Sequence, residues 1–441
     1  MAGALELALL DARAADFEAR FAALENRRSI EREKLQERVA AIVEDVRRRG
    51  DDAVLDAIER FDGYRLLAAD LALSNEEIDR GAALLAPDDA AALRAAAVRI
   101  QRFHALRVQE TWTESGADER LGQLVRPLAR VALYVPGGTA PLASTTLMLG
   151  VPAAAAGVRE RVMCSPGRSL HPAVLAASRL AGVTRLYRIG GAQAIAALAF
   201  GTESVTRVDK IVGPGNAYVQ EAKRQVFGQV AIDAEAGPSE VFIVADEQAR
   251  ADFLAADLLA QAEHDELSSV VLATPSLATA HAVRAEVDRQ IVALTREKIA
   301  RISLAGRSAL IVTRDVAEAC ALANRYAAEH LQLCVADPDA CLARIDCAGA
   351  VFLGAWSPVP IGDYIAGPSH VLPTGGTARF FSVVGVEDFQ RRISLIDLAE
   401  PAFRRVAPAA VRLARLEGLD AHARALEIRL AAKDARLDRK T

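Results

Sequence analysis

Glu329 and His330 stand side by side in this chain, and adjacent titratable groups of different proton affinity can divide the work of giving and taking protons near neutrality. A charged helix end would carry the same two residues, and spacing alone leaves both readings open. Metal-ligating types occur as well. Gln261 and His264 are three apart at the end of a helix expected over Asp252–His264, so they project from one side of it. Asp363 lies in a Gly/Pro-rich stretch, Trp356–Ser369, leaving an expected strand, where open α/β sheets tend to present ligand groups. His422 falls in the first turn of an expected helix capped by Asp420, a position that favours a neutral ring, although a histidine there can simply decorate a helical hairpin.

Three glycine turns could cradle phosphates through backbone N–H groups: Pro136-Gly137-Gly138, Gly190-Gly191 and Gly213-Pro214-Gly215. None completes the usual dinucleotide fingerprint, because Tyr218 occupies the place of the third glycine. Ordinary tight turns and a ligand cradle both remain open for them.

Alternating strands and helices must position these groups. Val131–Val135, Arg161–Cys164, Arg185–Ile189 and Lys210–Val212 are short apolar runs, each ending in a Gly- or Pro-bearing turn and followed by helical segments. A second block repeats the rhythm with strands at Glu240–Ala245, Ser269–Ala273, Ala309–Val312, Leu331–Val335 and Ala350–Leu353, implying parallel sheets under helices. The first hundred residues are helical in character, notably Glu33–Arg49 and Asp88–Arg107, with a sharp change at Arg130. After Asp388 the chain is expected to be helical again: Pro408 opens a helix running to Glu417, and a charged tail, Lys433–Thr441, closes the sequence.

Composition narrows the function classes. A net charge of −5 argues against a basic nucleic-acid footprint, and 52% hydrophobic residues supply a large core. The uncharged run Val131–Val158 is long enough to span a bilayer, but Pro136, Gly137, Gly138, Pro141, Gly150 and Pro152 break it, so a strand, a turn and a buried helix are expected. No N-terminal signal pattern is visible, and the five cysteines form no C-x-x-C pair; a cytoplasmic protein with reduced thiols is the expectation.

Long motifs carry a family resemblance. They are Tyr134-Val-Pro-Gly-Gly-Thr-Ala-Pro-Leu142, the Gly190–Ser204 segment, Val212-Gly-Pro-Gly-Asn-Ala-Tyr218, Ala236-Gly-Pro-Ser-Glu240, Gln261-Ala-Glu-His264, Ala328-Glu-His-Leu331, the Gly362–Thr374 segment and Glu417–His422. In this order, from about Glu33 to Leu430, the chain resembles the histidinol dehydrogenases. The resemblance implies one zinc per subunit on Gln261, His264, Asp363 and His422, with the substrate also reaching the metal. It implies catalytic acid/base roles for Glu329 and His330. Substrate contacts fall on Ser239, His330 and Glu417 beside the metal ligands, and NAD contacts on Tyr134, Gln193 and Asn216. It further implies oxidation of L-histidinol through the aldehyde to L-histidine with two NAD, in a homodimer whose C-terminal arms are exchanged. His370 receives no direct role.

The expected fold class is α/β, with two Rossmann-like parallel-sheet domains and helical N-terminal and C-terminal extensions. In chain order these are a helical segment 1–27, a larger α/β domain from 28–133 and 239–384, an inserted NAD-binding domain 134–238, and a helical arm 385–441. A dehydrogenase of another amino- or hydroxy-alcohol is the near alternative. A zinc hydrolase using Glu329 on water is a second, disfavoured by Tyr134, Gln193 and Asn216. A third, a non-catalytic protein with a structural metal, is disfavoured because structural zinc usually takes Cys and His.

Overall fold

The computed structural model describes residues 7–26, 32–137, 141–234 and 237–432. Gly138 of the first glycine turn, Ala236 of its motif and the tail Lys433–Thr441 lie outside these residues. In chain order the strands are β1 (Ala8–Asp11), β2 (Trp112–Ser115), β3 (Glu119–Pro127), β4 (Arg130–Tyr134), β5 (Glu160–Cys164), β6 (Arg185–Tyr187) and β7 (Lys210–Val212). They continue as β8 (Ala231–Ile232), β9 (Glu240–Ala245), β10 (Ser269–Thr274), β11 (Ala309–Val312), β12 (His330–Cys334), β13 (Ala350–Leu353) and β14 (Gln390–Leu398). The chain divides into two units, 1–108 with 128–389, and 109–127 with 390–441.

The first unit holds two parallel sheets. One runs β6-β5-β4-β7-β8, the other β1-β11-β10-β9-β12-β13. Each is covered on both faces, which is why its strands read as unbroken apolar runs rather than alternating ones. In the five-stranded sheet one face packs on Val39, Val46, Val54 and Ile58 from the early helices, and the other on Ile100 and the helix Ala143–Ala155. Within the Val131–Val158 run the strand ending at Tyr134 and the buried helix Ala143–Ala155 are as expected. In the six-stranded sheet the helix Ala251–Ala262 covers one face, and Phe17, Phe21 and the helix Val316–Tyr326 cover the other. Both sheets reverse winding direction once, between β4 and β7 and between β9 and β12, creating two topological switch points.

The second unit is an antiparallel sheet, β14-β3-β2, whose nine-residue register runs from Gln390 opposite Pro127 to Leu398 opposite Glu119. Its two helices, Glu400–Leu416 and Asp420–Ala431, are tied by Arg404 to the Leu430 carbonyl and by an Arg415–Glu427 ion pair at 2.6 Å.

Four expectations need correction. The N-terminal segment is not wholly helical, because Ala8–Asp11 adds an edge strand beside Ala309–Val312. The change at Arg130 is preceded by β2 and β3. The C-terminal arm begins with β14, not a helix. Pro408 lies inside its helix, which starts at Glu400 with Pro401 in the first turn, where a missing N–H costs nothing.

Candidate active site

Catalytic geometry starts where β12 and β9 begin. The helix Val316–Tyr326 ends on Ala327, whose left-handed φ of 49° turns the chain sharply into Glu329 and His330. Beside them, Glu240 opens β9 and grips both residues through its backbone. Its N–H donates to Glu329 Oε2 at 2.9 Å, and its carbonyl accepts from His330 Nδ1 at 2.9 Å. That second bond fixes the ring: Nδ1 carries hydrogen, and Nε2 is the nitrogen left for chemistry. Nε2 is buried, has no hydrogen-bond partner among the described residues, and stands 3.7 Å from Asp363 Oδ1. Gly349 makes the close approach of β13 possible, since a Cβ there would lie 2.5 Å from the Glu329 carbonyl oxygen.

Electrostatics tune the pair. Burial pushes the Glu329 carboxyl up to about 7, against the pull of His330 and the Glu240 N–H. Burial pushes His330 down, but the Glu329 and Asp363 carboxylates outweigh it and bring the ring up to about 9. The Glu329 oxygen and Nδ1 are 3.6 Å apart, so the two titrate as one coupled unit. A carboxyl and an imidazole displaced toward each other in this way can exchange protons with a bound substrate.

Around them lie the donor groups. Gln261 ends the helix Ala251–Ala262, which runs opposite to the strands and so delivers its last turn to their amino edge. Among the described residues neither side-chain amide atom of buried Gln261 has a partner, a state that costs free energy unless something occupies them. His264 lies just past the end of that helix; desolvation lowers its proton affinity while Asp363 opposes. A neutral imidazole is the metal-binding form. Asp363 is not in an open loop, as expected, but in a short helix, Val359–Tyr364. That helix carries the chain from the carboxyl end of β13 to the amino edge, where His330 holds the Asp363 carboxyl below its ordinary value despite burial. A cavity of about 370 Å³ is lined by His330, Phe352, Asp363, Ser369, His370 and Leu372.

Gln261, His264 and Asp363 therefore suit a cation that takes nitrogen and oxygen donors. Among the described residues, no three of the types His, Cys, Asp and Glu gather into a metal-holding group. The donor set here includes an amide, which is not one of those types, and His422 belongs to the second unit. There His422 and Glu417 are both exposed; Glu417 caps the helix Glu400–Leu416, and His422 is the third residue of the helix Asp420–Ala431. Ser239 precedes β9, and its carbonyl accepts from Ser269 N at 3.1 Å.

The expected NAD residues gather at the other sheet, at its carboxyl edge and switch point. Tyr134 ends β4 buried, and its hydroxyl accepts from Gly191 N at 3.0 Å. Gln193 lies buried in the first turn of the helix Gly191–Phe200. Asn216 follows β7 and caps the helix Ala217–Val226 by accepting from Val219 N at 3.1 Å. Gly213, with φ of 127°, packs so tightly on the Tyr134 carbonyl that a side chain there would collide with backbone.

One residue without an expected role joins the two edges. His370 Nδ1 donates to the Asp363 carbonyl at 2.8 Å, and its Nε2 bonds Thr145 Oγ1 at 3.0 Å in the first turn of the helix Ala143–Ala155. Ser369 beside it donates to the Met148 carbonyl at 3.1 Å. The sequence signal was the Ser369-His370 pair inside a matched motif, but only the folded contact identifies its partner.

Comparison with known proteins decides the family. A model described as histidinol dehydrogenase matches residues 25–430. The chain belongs to the histidinol dehydrogenase family. The histidinol dehydrogenase of Syntrophotalea carbinolica is 49% identical over 418 residues, covering 94% of this chain and 97% of that protein. That of Cereibacter sphaeroides is also 49% identical, over 96% of this chain and 98% of its own length. A crystal structure of histidinol dehydrogenase from Elizabethkingia anophelis superposes with a TM-score of 0.92 at 35% identity, covering 97% of this chain and 99% of that one. The molecule is an oxidoreductase with the α/β fold expected of it.

Proposed function

We propose that this chain oxidises L-histidinol to L-histidine in the cytoplasm, as a zinc- and NAD-dependent step of histidine biosynthesis. The carrying observation is the buried Glu329–His330 pair, gripped by the Glu240 backbone, with Asp363 Oδ1 3.7 Å from His330 Nε2. Gln261, His264, Asp363 and His422 are the residues that would hold zinc, which supplies a fixed positive anchor for substrate. NAD supplies the hydride acceptor, and Tyr134, Gln193 and Asn216 are the residues that would hold it.

The protein's own groups do the rest. Once its Nε2 has released its own proton, His330 takes the hydroxyl proton of the alcohol through that nitrogen, held in line because Nδ1 is engaged with the Glu240 carbonyl. Glu329, whose burial raises its basicity, then takes a proton from the water that adds to the aldehyde. Ser239, Glu417 and His330 contact the substrate in this reading. The His370 bridge supports it by tying the Asp363 segment to the helix that follows β4, so metal and nucleotide halves keep a fixed relation. His422 is donated by the partner of a homodimer.

The decisive measurement is NADH yield and product identity with purified protein, L-histidinol and NAD, before and after chelation. Two NADH per histidinol are expected, with turnover lost on metal removal and restored by zinc. One NADH per substrate, with free aldehyde as the end product, would overturn the four-electron reading.

A further inference from the structure

Lys223 and Asp233 are both almost completely buried, at 1% and 5% side-chain exposure, and form an ion pair inside the first unit. Neither residue touches the groups assigned to the reaction. Burying two charges is costly, and the cost is offset only where geometry satisfies every donor and acceptor. Their partners are therefore informative. Lys223 Nζ also donates to the Gly213 carbonyl at 2.9 Å and toward the Ala234 carbonyl at 3.4 Å. Asp233 Oδ1 accepts from Lys223, and Oδ2 accepts from Gly213 N at 2.7 Å. Both backbone polar groups of Gly213 are thus held by one ion pair.

Gly213 opens the turn that leads into Asn216. Lys223 sits two turns along the helix Ala217–Val226, which that turn begins, and reaches back to its start. Asp233 follows β8, at the beginning of the stretch that crosses to β9 and its Glu240. Removing the pair would leave a turn that glycine alone permits, at φ 127°, without its side-chain anchors.

We infer that Lys223 and Asp233 are positioning residues for the nucleotide: their ion pair sets the Gly213–Asn216 turn in the conformation that accepts NAD. This rests on the reading that NAD binds at that turn. An asparagine at 233 could not serve both neighbours, since its single oxygen satisfies either Lys223 or the Gly213 N–H and its NH₂ then opposes the other donor. With Lys223 replaced by methionine as well, the asparagine oxygen is free for the Gly213 N–H and no charge remains buried.

The test is calorimetric NAD binding to the zinc-loaded enzyme, with histidinol KM and thermal stability measured in parallel. Asp233→Asn and Lys223→Met should each weaken NAD binding about tenfold, while histidinol KM stays near wild type. The double variant should recover most of that loss, a non-additive result expected for directly coupled residues. Asp233→Glu keeps the charge pair but displaces the carboxylate by a methylene, so it guards against single variants that do not fold, and it too should bind NAD more weakly. Folded variants, Asp233→Glu included, with wild-type NAD affinity would reduce the pair to a purely structural role and overturn the inference. Wild-type protein that fails to bind NAD would instead remove the underlying reading.

Discussion

At the residue scale, the division of labour between Glu329 and His330 follows from what each is bonded to. Nε2 of His330 faces Asp363, while the Glu329 carboxylate already accepts from Glu240 N. His330→Asn should therefore slow the alcohol step most, and Glu329→Gln the aldehyde step, with losses on the order of 10²–10⁴. Separate assays started from histidinol and from histidinal distinguish the steps; equal losses on both substrates in both variants would refute the assignment. A second residue bears on stability alone. His104 is buried with neither ring nitrogen bonded among the described residues, and burial lowers its pKa to about 4. The unfolded ring takes up a proton as pH falls through about 6.5, whereas the folded ring resists until about 4. Proton uptake thus favours the unfolded chain across that window, and stability drops as pH falls through it. The full shift corresponds to about 3 kcal/mol, and a discount for solvent screening leaves about 1–2 kcal/mol. Denaturant midpoints of His104→Phe should accordingly fall less than those of wild type between pH 6.5 and 4.

Elements were legible in the sequence where burial imposed a pattern. The strands Glu240–Ala245, Ala309–Val312 and Ala350–Leu353 have the expected bounds because, Glu240 apart, each is an unbroken apolar run of the kind parallel sheets favour. β3 and β14 were not legible, since their residues are mostly half-buried or exposed and Ile393 and Ile396 face solvent, so no alternation marks them. β1 is only four residues long, and its pairing with β11 depends on a segment three hundred positions away in sequence. Candidate ligands were found through motif identity rather than spacing; the sequence could not indicate that the helix Val359–Tyr364 returns Asp363 to the amino edge, nor that His370 spans two sheets. One element contact is directly testable. Gly349→Ala would press a methyl group against the Glu329 carbonyl and separate β13 from β12. The expected result is a loss of about 1–3 kcal/mol of stability, with kcat reduced because Glu329 moves. Unaltered kcat and melting temperature would mean that the methyl group is accommodated with the strands and Glu329 in place.

For the whole molecule, the proposed exchange of His422 makes a symmetric prediction. In a two-fold dimer each active site would draw Gln261, His264 and Asp363 from one subunit and His422 from the other. Mixing His422→Ala with His264→Ala subunits then places both defects in one site and leaves the other whole. Isolated mixed dimers should regain about half the wild-type activity, and inactive, properly formed mixed dimers would end the exchange hypothesis while leaving the zinc assignment intact. The residues proposed for NAD and for metal also lie at opposite edges of the first unit's two sheets, the carboxyl edge of the five-stranded one and the amino edge of the six-stranded one. Helices begin at the former, at Ala143, Gly191 and Ala217, and end at the latter, at Ala262 and Tyr326. Each helix contributes partial positive charge at its start and partial negative charge at its end. The fold thereby builds a standing field across the first unit: in the proposed reading a dianionic pyrophosphate would meet the positive ends and a metal cation the negative ones. Salt screens exposed side-chain charges more than it screens partly buried backbone dipoles, so cofactor affinity should depend only shallowly on ionic strength.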